Sequence, residues 1–466
     1  MGEQGGKNVD HPNLTGAWEP VCDELDVADL RVTGDLPETL VGTYIRNGPN
    51  PAFEPLVDYH IFDGDGMLHA VEFADGRARY RNRWVENAGL AAERREGKAL
   101  FGGLAEFRMP EPHIAEEVGM LKNTANTHVV RHADRVFALL EAAKPIEVDL
   151  ACNTIGEYDF GGALKGAMTA HPKIDPRTGE MVFFGYSPFP PYVRVHVADA
   201  AGRLTRSVDV DLPAPIMMHD FAVSSNHIVL FNLPAVFDLN AMLSGRPGIR
   251  WEPSNGSRIG VMDRRNLDAP VYWFELDTFW MFHILNAYDD GDDAVIVEGC
   301  RTDRLNASFG EDEPVTARPP MLHRWRLDVR TGTVTETALD DRAGDFPRVN
   351  DDFACSAARY GYVANSSKWQ GEEVAFNGFV KHDLVAGTSH VYTYGDDVAS
   401  GEAAFAPDPA RAGQEDGGWL VNFVFDRSDG SSSLVIVDAQ ALIEVARVHM
   451  PRRVPLGFHG NWFGAN

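Results

Sequence analysis

Cysteine is scarce: Cys22, Cys152, Cys300 and Cys355 are the only four among 466 residues, and no two stand as Cys-x-x-Cys. A disulfide framework or a thiolate zinc site needs more of them at closer spacing. They are therefore expected to be reduced thiols, mostly buried, in a cytoplasmic protein. Long apolar runs are missing too. No stretch nears the roughly 18 apolar residues of a transmembrane helix, and the opening segment Met1–Leu14 has no apolar core of the secretory kind. Basic charge is in deficit, with 42 Lys and Arg against 69 Asp and Glu for a net charge of -27. With no Lys/Arg run, such a surface repels a phosphate backbone, so nucleic acid is excluded as a partner. The acidic residues are spread along the chain and read as a solvated surface. His-Glu-x-x-His, Gly-x-Ser-x-Gly, a phosphate loop and a strand-linked dinucleotide fingerprint are all absent, which removes the commonest metalloprotease, serine hydrolase and nucleotide-binding classes.

What the chain does have is strand. Runs rich in Val, Ile, Phe, Tyr and Leu recur at 135–142, 181–187, 227–233, 270–276, 293–299, 419–425 and 433–439, separated by Gly, Asp, Asn and Pro. One turn type appears three times, from Asp175 to Gly179, Asp328 to Gly332 and Asp383 to Gly387. The Asp side chain can close such a turn and the Gly permits the positive φ that follows. The irregular separation of these turns predicts blades with insertions rather than a tight solenoid. Helix-like text is confined to 93–107, 112–120 and 235–244. No Pro/Ser-rich linker divides the chain, so residues 1–466 are expected to form one all-β, propeller-like domain, with residues 1–30 a partly irregular extension.

Four histidines lie in apolar or strand-like surroundings: His171 in MTAHPK, His219 in PIMMHDFA, His283 in WMFHILNAY and His459 in PLGFHGNWF. An imidazole buried beside Met, Phe and Trp must find a partner, since a polar group left unpaired costs about 1–3 kcal/mol. For any one of them a backbone carbonyl would serve. Four together call for one explanation, and a metal ion held by neutral imidazoles supplies it, four separately satisfied core histidines being the alternative. Their wide separation suits ligands delivered by different blades to a common axis. A zinc finger would need pairs a few residues apart.

Seven stretches, GTYIRNGPNP (42–51), YHIFDGDGMLHAVEF (59–73), KNTANTHVV (122–130), MTAHPKIDPRTGEM (168–181), MMHDFAVS (217–224), FPRVN (346–350) and GFHGNWF (457–463), occur in the order of the carotenoid cleavage oxygenases, and the chain resembles that family from about Gly42 to its last residues. The family also contains bacterial stilbene- and phenylpropenoid-cleaving enzymes. The resemblance implies a seven-bladed β-propeller holding a non-haem Fe(II) on His171, His219, His283 and His459, under a cap of loops and helices that forms an apolar substrate tunnel. It implies oxidative scission of a carbon–carbon double bond, with O2 as co-substrate and two aldehyde or ketone products, through either a dioxetane or an epoxide-like route. Four imidazoles in an octahedral field leave two positions open, against three for the 2-His-1-carboxylate triad, and the ion keeps its full charge. Carboxylates one layer out can orient the rings and offset that charge.

The same resemblance places those carboxylates at Glu141, Glu402 and Asp345. The family usually has Glu at the last position, and an Asp, one methylene shorter, is expected to orient its ring through water or more loosely. Thr127 resembles a threonine whose methyl crowds one open iron position, leaving one for O2; an ordinary strand threonine is the alternative. His128 and the remaining histidines are expected to serve packing. Phenol-cleaving members of the family carry a Lys before the first of these glutamates and a Tyr in an upstream loop. Here Leu140 and Leu104 occupy those places, and Lys144 should point elsewhere. A phenolate would find no partners, so a carotenoid or apocarotenoid, a small hydrophobic conjugated alkene, is the expected substrate and a stilbene or phenylpropenoid the alternative. A non-oxidative, retinoid-isomerase-like propeller and a non-enzymatic scaffold are the rival classes. The segment 233–243 is expected to form a short amphipathic patch suited to peripheral membrane contact, or else a helix packed on the propeller. Nothing in the sequence indicates an obligate protein partner.

Overall fold

The apolar runs of the sequence become strands almost residue for residue in the computed structural model, which describes residues 11–305, 318–366 and 376–465. Among these residues, seven antiparallel sheets of four or more strands are arranged as the blades of a propeller. Blades two to six each run outward in chain order. Blade two is built of His128–His132, Arg135–Leu139, Ile146–Val148 and Thr154–Glu157, and blade three of Lys173–Ile174, Met181–Tyr186, Val193–Ala198 and Leu204–Val210. Blade four contains Ala222–Val223, His227–Asn232, Ser257–Asp263 and Tyr272–Leu276. Trp280–Asp289, Ala294–Thr302, Met321–Asp328 and Thr333–Ala338 form blade five; Gly344–Arg348, Tyr360–Asn365, Gly378–Asp383 and Thr388–Thr393 form blade six.

The two remaining blades close the ring by exchanging chain ends. In blade one the late strand Gly460–Gly464 pairs Gly42–Pro49, followed outward by Gly66–Ala74, Arg77–Trp84 and Asp26–Val27. In blade seven the early strand Val32–Gly34 adds to the outer edge of Ile443–His449, beyond Ser432–Asp438 and Gly418–Asp426. Val398–Ser400 and Ala404–Pro407 both pair the inner side of Gly418–Asp426.

Burial follows position in the blade. His227–Asn232 is buried at every residue, whereas the outermost Thr333–Ala338 and Thr388–Thr393 are largely exposed. A strand sandwiched between neighbouring blades is covered on both faces and reads as a continuous apolar run. The Asp-x-x-x-Gly turns form as expected. Gly179, Gly332 and Gly387 have φ of 70°, 70° and 66°, and the Asp175, Asp328 and Asp383 carboxylates accept from the backbone N–H groups of Arg177, Thr331 and Ala386.

The helices differ from expectation. The helix foreseen at 93–107 is Ala88–Glu96, capped by the Asn87 side chain and ended by Gly97 in the left-handed conformation; the loop beyond it is not helical. The one at 112–120 shortens to Pro112–Glu117. The one at 235–244 is a strand, Ala235–Phe237, followed by a five-residue helix, Leu239–Leu243. The β-branched and aromatic residues of that stretch find a partner strand, Ile249–Trp251, which a local reading could not foresee. No helix among the described residues is long and apolar enough to cross a membrane.

Candidate metal centre

The first strands of several adjacent blades touch near the axis, and four histidines within or just before such strands converge on a common point. His171 precedes Lys173–Ile174, His219 precedes Ala222–Val223, His283 lies within Trp280–Asp289, and His459 precedes Gly460–Gly464. All four are buried, with one ligand atom from each lying within 4.8 Å of the others. The Nε2 atoms of His171 and His219 are 3.1 Å apart, and those of His219 and His283 are 3.3 Å apart.

Each of three rings is pinned from behind. His219 Nδ1 donates to Glu141 Oε2 at 2.6 Å, His283 Nδ1 to Asp345 Oδ1 at 2.9 Å, and His459 Nδ1 to Glu402 Oε1 at 3.2 Å. A carboxylate only accepts, so each Nδ1 carries the proton and each Nε2 presents a lone pair to the centre. No carboxylate among the described residues bonds His171. Burial first, then the charge that neighbouring rings would carry, hold His171 and His459 well below the ordinary imidazole range. Burial also works against charge on His283, but the Asp345 carboxylate outweighs it and lifts that ring. Buried lone pairs converging this closely repel unless a cation sits among them. Nitrogen donors about 2.1 Å from a common ion stand about 3.0 Å apart when adjacent, close to both separations seen. The donor set fits a divalent metal of the kind imidazole favours.

Asp345 reaches His283 directly, without a bridging water, despite its shorter side chain. The strand bulges between Asp345 and Pro347, and Phe346 takes a positive φ of 51°. This brings the backbone close enough for Asp345 Oδ1 to accept from the Phe346 amide at 2.8 Å as well. Glu402 Oε2 accepts from the Gly460 amide and from Arg348 Nη1. Burial opposes the Arg348 charge, yet Glu402 and Asp351 hold its guanidinium above its ordinary value. Thr127 is half-buried beside this cluster; its hydroxyl donates to Asn126 Oδ1 at 3.0 Å and its carbonyl accepts from the His459 amide at 3.1 Å.

His128 lies close by, 5.1 Å from His459 between ring centroids. Its Nδ1 donates to the Ala170 carbonyl and its Nε2 accepts from Asn461 Nδ2, so neither nitrogen is left for a metal. Other histidines have local partners, such as Tyr80 for His69, Gly179 for His132 and Asp289 for His227. Lys144 pairs with exposed Glu157, away from the centre. Leu140 is half-buried next to Glu141, and Leu104 lies exposed on a loop whose amide is held by Asp63. Two residues that the sequence reading did not single out matter here: Tyr186, whose hydroxyl donates to Glu141 Oε1 at 2.6 Å, and Phe346, whose ring packs on His283 and His459 at 4.6 and 4.8 Å. Tyr186 ends a plain apolar run, and nothing in that run marks it.

The sequence profile of the retinal pigment epithelial membrane protein family matches residues 18–464. A carotenoid cleavage oxygenase of Mycobacterium tuberculosis is 35% identical over 97% of this chain and 97% of its own length. A carotenoid 9,10(9',10')-cleavage dioxygenase 1 of Phaseolus vulgaris is 33% identical, covering 97% of this chain and 89% of its own. Among solved structures, the lignostilbene dioxygenase of Pseudomonas brassicacearum superposes with a TM-score of 0.89 at 29% identity, over 98% of this chain and 99% of that one. The propeller, the buried histidine cluster and these likenesses agree along almost the whole length, and the chain belongs to the family of carotenoid- and stilbene-cleaving oxygenases, as an enzyme of dioxygenase type.

Proposed function

We propose that His171, His219, His283 and His459 hold Fe(II), and that the enzyme uses O2 to split a carbon–carbon double bond of a carotenoid or apocarotenoid into two carbonyl products. The convergence of four buried Nε2 atoms, three of them backed by carboxylate-bonded Nδ1–H groups, carries the reading. Bound Fe(II) would supply the activation of O2 toward an electron-rich alkene. The rest falls to the protein. Glu141, Asp345 and Glu402 orient three rings and offset the charge of the ion. Thr127, tied to the His459 amide, crowds one side of the centre. Phe346 and Phe282, packed on ligand rings, keep water out and offer apolar walls to a polyene. Both oxygen atoms of O2 end in the two carbonyl groups with no net proton transfer, so no protein acid or base is needed.

The loops above the centre form the cap in this reading. Exposed Leu104, Met109, Met120 and Leu121 on one segment and Leu243 at the tip of another would border an apolar passage and touch the lipid in which such substrates dissolve. The carotenoid reading draws on the names of the Mycobacterium and Phaseolus relatives and on apolar Leu104 and Leu140. A stilbene reading is favoured by one observation, the likeness to lignostilbene dioxygenase. Protein loaded with Fe(II) under argon, then given O2 with an apocarotenal or a hydroxystilbene, separates the two by mass spectrometry of the products. Aldehydes from the apocarotenal alone are expected. Cleavage of the stilbene alone would reverse the substrate assignment, and bound iron with neither substrate cleaved would refute the oxidative reading for both.

A further inference from the structure

Each of the three carboxylates behind the histidines has a second donor on it, and the donors differ in kind. Asp345 is held by the Phe346 amide, within its own bulged strand. Glu402 is held by the Gly460 amide and by Arg348, which also bonds Asp351 and Asn461. Glu141 has neither support. It sits in a turn after Arg135–Leu139, and among the described residues one group alone bonds its Oε1, the hydroxyl of Tyr186 at 2.6 Å. Its Oε2 accepts from His219 Nδ1 at the same distance, 2.6 Å. Burial, and then the Glu141 charge, raise the Tyr186 phenol well above its ordinary value, so the hydroxyl stays the donor.

Tyr186 rests in turn on an inserted hairpin. In blade four the chain leaves the sheet after His227–Asn232, forms Ala235–Phe237 paired with Ile249–Trp251, and returns at Ser257–Asp263. Phe237 packs on the Tyr186 ring at 5.4 Å. The same strand bonds the segment leading to His219: the Met217 amide donates to the Ala235 carbonyl at 2.9 Å, and the Phe237 amide to the Pro215 carbonyl at 2.8 Å. From the second strand, Trp251 meets Trp280, Trp280 meets Phe282, and Phe282 stands edge-on to the His219 ring at 5.0 Å. One hairpin thus bears on the backbone, the ring face and the Nδ1 partner of a single histidine.

We propose that Tyr186 is a positioning residue for His219, acting through Glu141, and that the hairpin Ala235–Trp251 fixes Tyr186 through Phe237. The inference rests on the reading of the four histidines as a metal site. Removing the hydroxyl leaves a largely buried carboxylate oxygen without its donor and lets Glu141 turn, so the His219 lone pair loses its direction.

Co(II) titrated under argon tests this, with calorimetry for Kd and the d–d absorption bands for ligand geometry. The proteins compared are wild type, Tyr186→Phe, Glu141→Gln and the double variant. Tyr186→Phe keeps the ring and its packing, and is expected to weaken Co(II) binding about 10-fold and to shift the bands. The double variant is expected to bind no more weakly than Glu141→Gln alone, because both changes break one chain of contacts. Phe237→Leu probes the same link without touching the hydroxyl and is expected to cost about 3-fold; an unchanged Kd there removes the hairpin from the proposal. Unchanged Kd and bands in Tyr186→Phe, or additive losses in the double variant, overturn the role of Tyr186 and leave the metal reading standing. A wild-type protein that takes up no Co(II) overturns both.

Discussion

Within each of blades two to six, the first two strands lie side by side and are built to different ends. The second strands, such as Met181–Tyr186 and His227–Asn232, are long and almost wholly apolar, and feed the hydrophobic clusters between blades. Four of the five first strands are short or irregular, His128–His132 being the exception, and all but the half-buried Lys173–Ile174 are mostly buried. Lys173–Ile174 and Ala222–Val223 have two residues each, Trp280–Asp289 shifts register twice, and Gly344–Arg348 bulges. On them or just before them stand His171, His219, His283 and Asp345, among apolar neighbours such as Val223 and Phe282. Apolar packing holds the second strands, at about 25 cal/mol per Å² of buried surface. The first strands depend on each polar group meeting a partner, because a buried group without one is expensive. The difference separates the strands that pack this propeller from those that bear its buried histidine cluster.

That contrast can be broken from the inside first. His283→Ala removes a ring of the centre, and metal affinity is expected to fall by more than about 100-fold, since loss of an outer partner alone costs about 10–100-fold; metal analysis of the purified variant checks it. Retention of a full equivalent would mean that the histidines do not share one ion. Asp345→Asn keeps the hydrogen bond to His283 but removes the charge, and should weaken metal binding about 10-fold, read by the same titration. The converse test strikes a strand further out. Leu434→Ala, at a fully buried position in Ser432–Asp438, should lower unfolding free energy by about 2–5 kcal/mol while leaving Kd for the metal unchanged. Thermal melts with and without metal separate the two effects. The smallest change is expected on the outermost strand, where Thr335→Ala should stay within about 0.5 kcal/mol in stability and alter neither metal uptake nor cleavage.

The contrast also explains what the sequence disclosed. Six of the seven runs read as strands are second or third strands of their blades, and the seventh, around Tyr272–Leu276, is an outermost one. None is a first strand. Period and apolar content report packing, and strands selected to carry polar groups to an axis lose that signature. The histidines were legible as a set because the apolar text around them demanded a shared partner. Their carboxylate partners came only through the family resemblance, since Glu141 and Glu402 are remote in sequence from the rings they face. Asp345 was legible as a departure, but its direct bond was not, because the bulge that compensates for the missing methylene is a property of the folded backbone. Tyr186 was invisible: a tyrosine ending an apolar strand gives no sign that its hydroxyl meets a carboxylate 45 positions away in sequence.

The exchange of chain ends between blades one and seven has a consequence in time. His459 stands immediately before Gly460–Gly464, the last of the described strands to be synthesised and the one that completes blade one against Gly42–Pro49. Its amide is bonded to the Thr127 carbonyl and its carbonyl to the Asn47 amide, contacts that exist once that strand has docked. A nascent chain can form most of its blades while only three of these histidines face the axis, so docking of this strand, late in synthesis, both seals the ring and completes the four-histidine cluster.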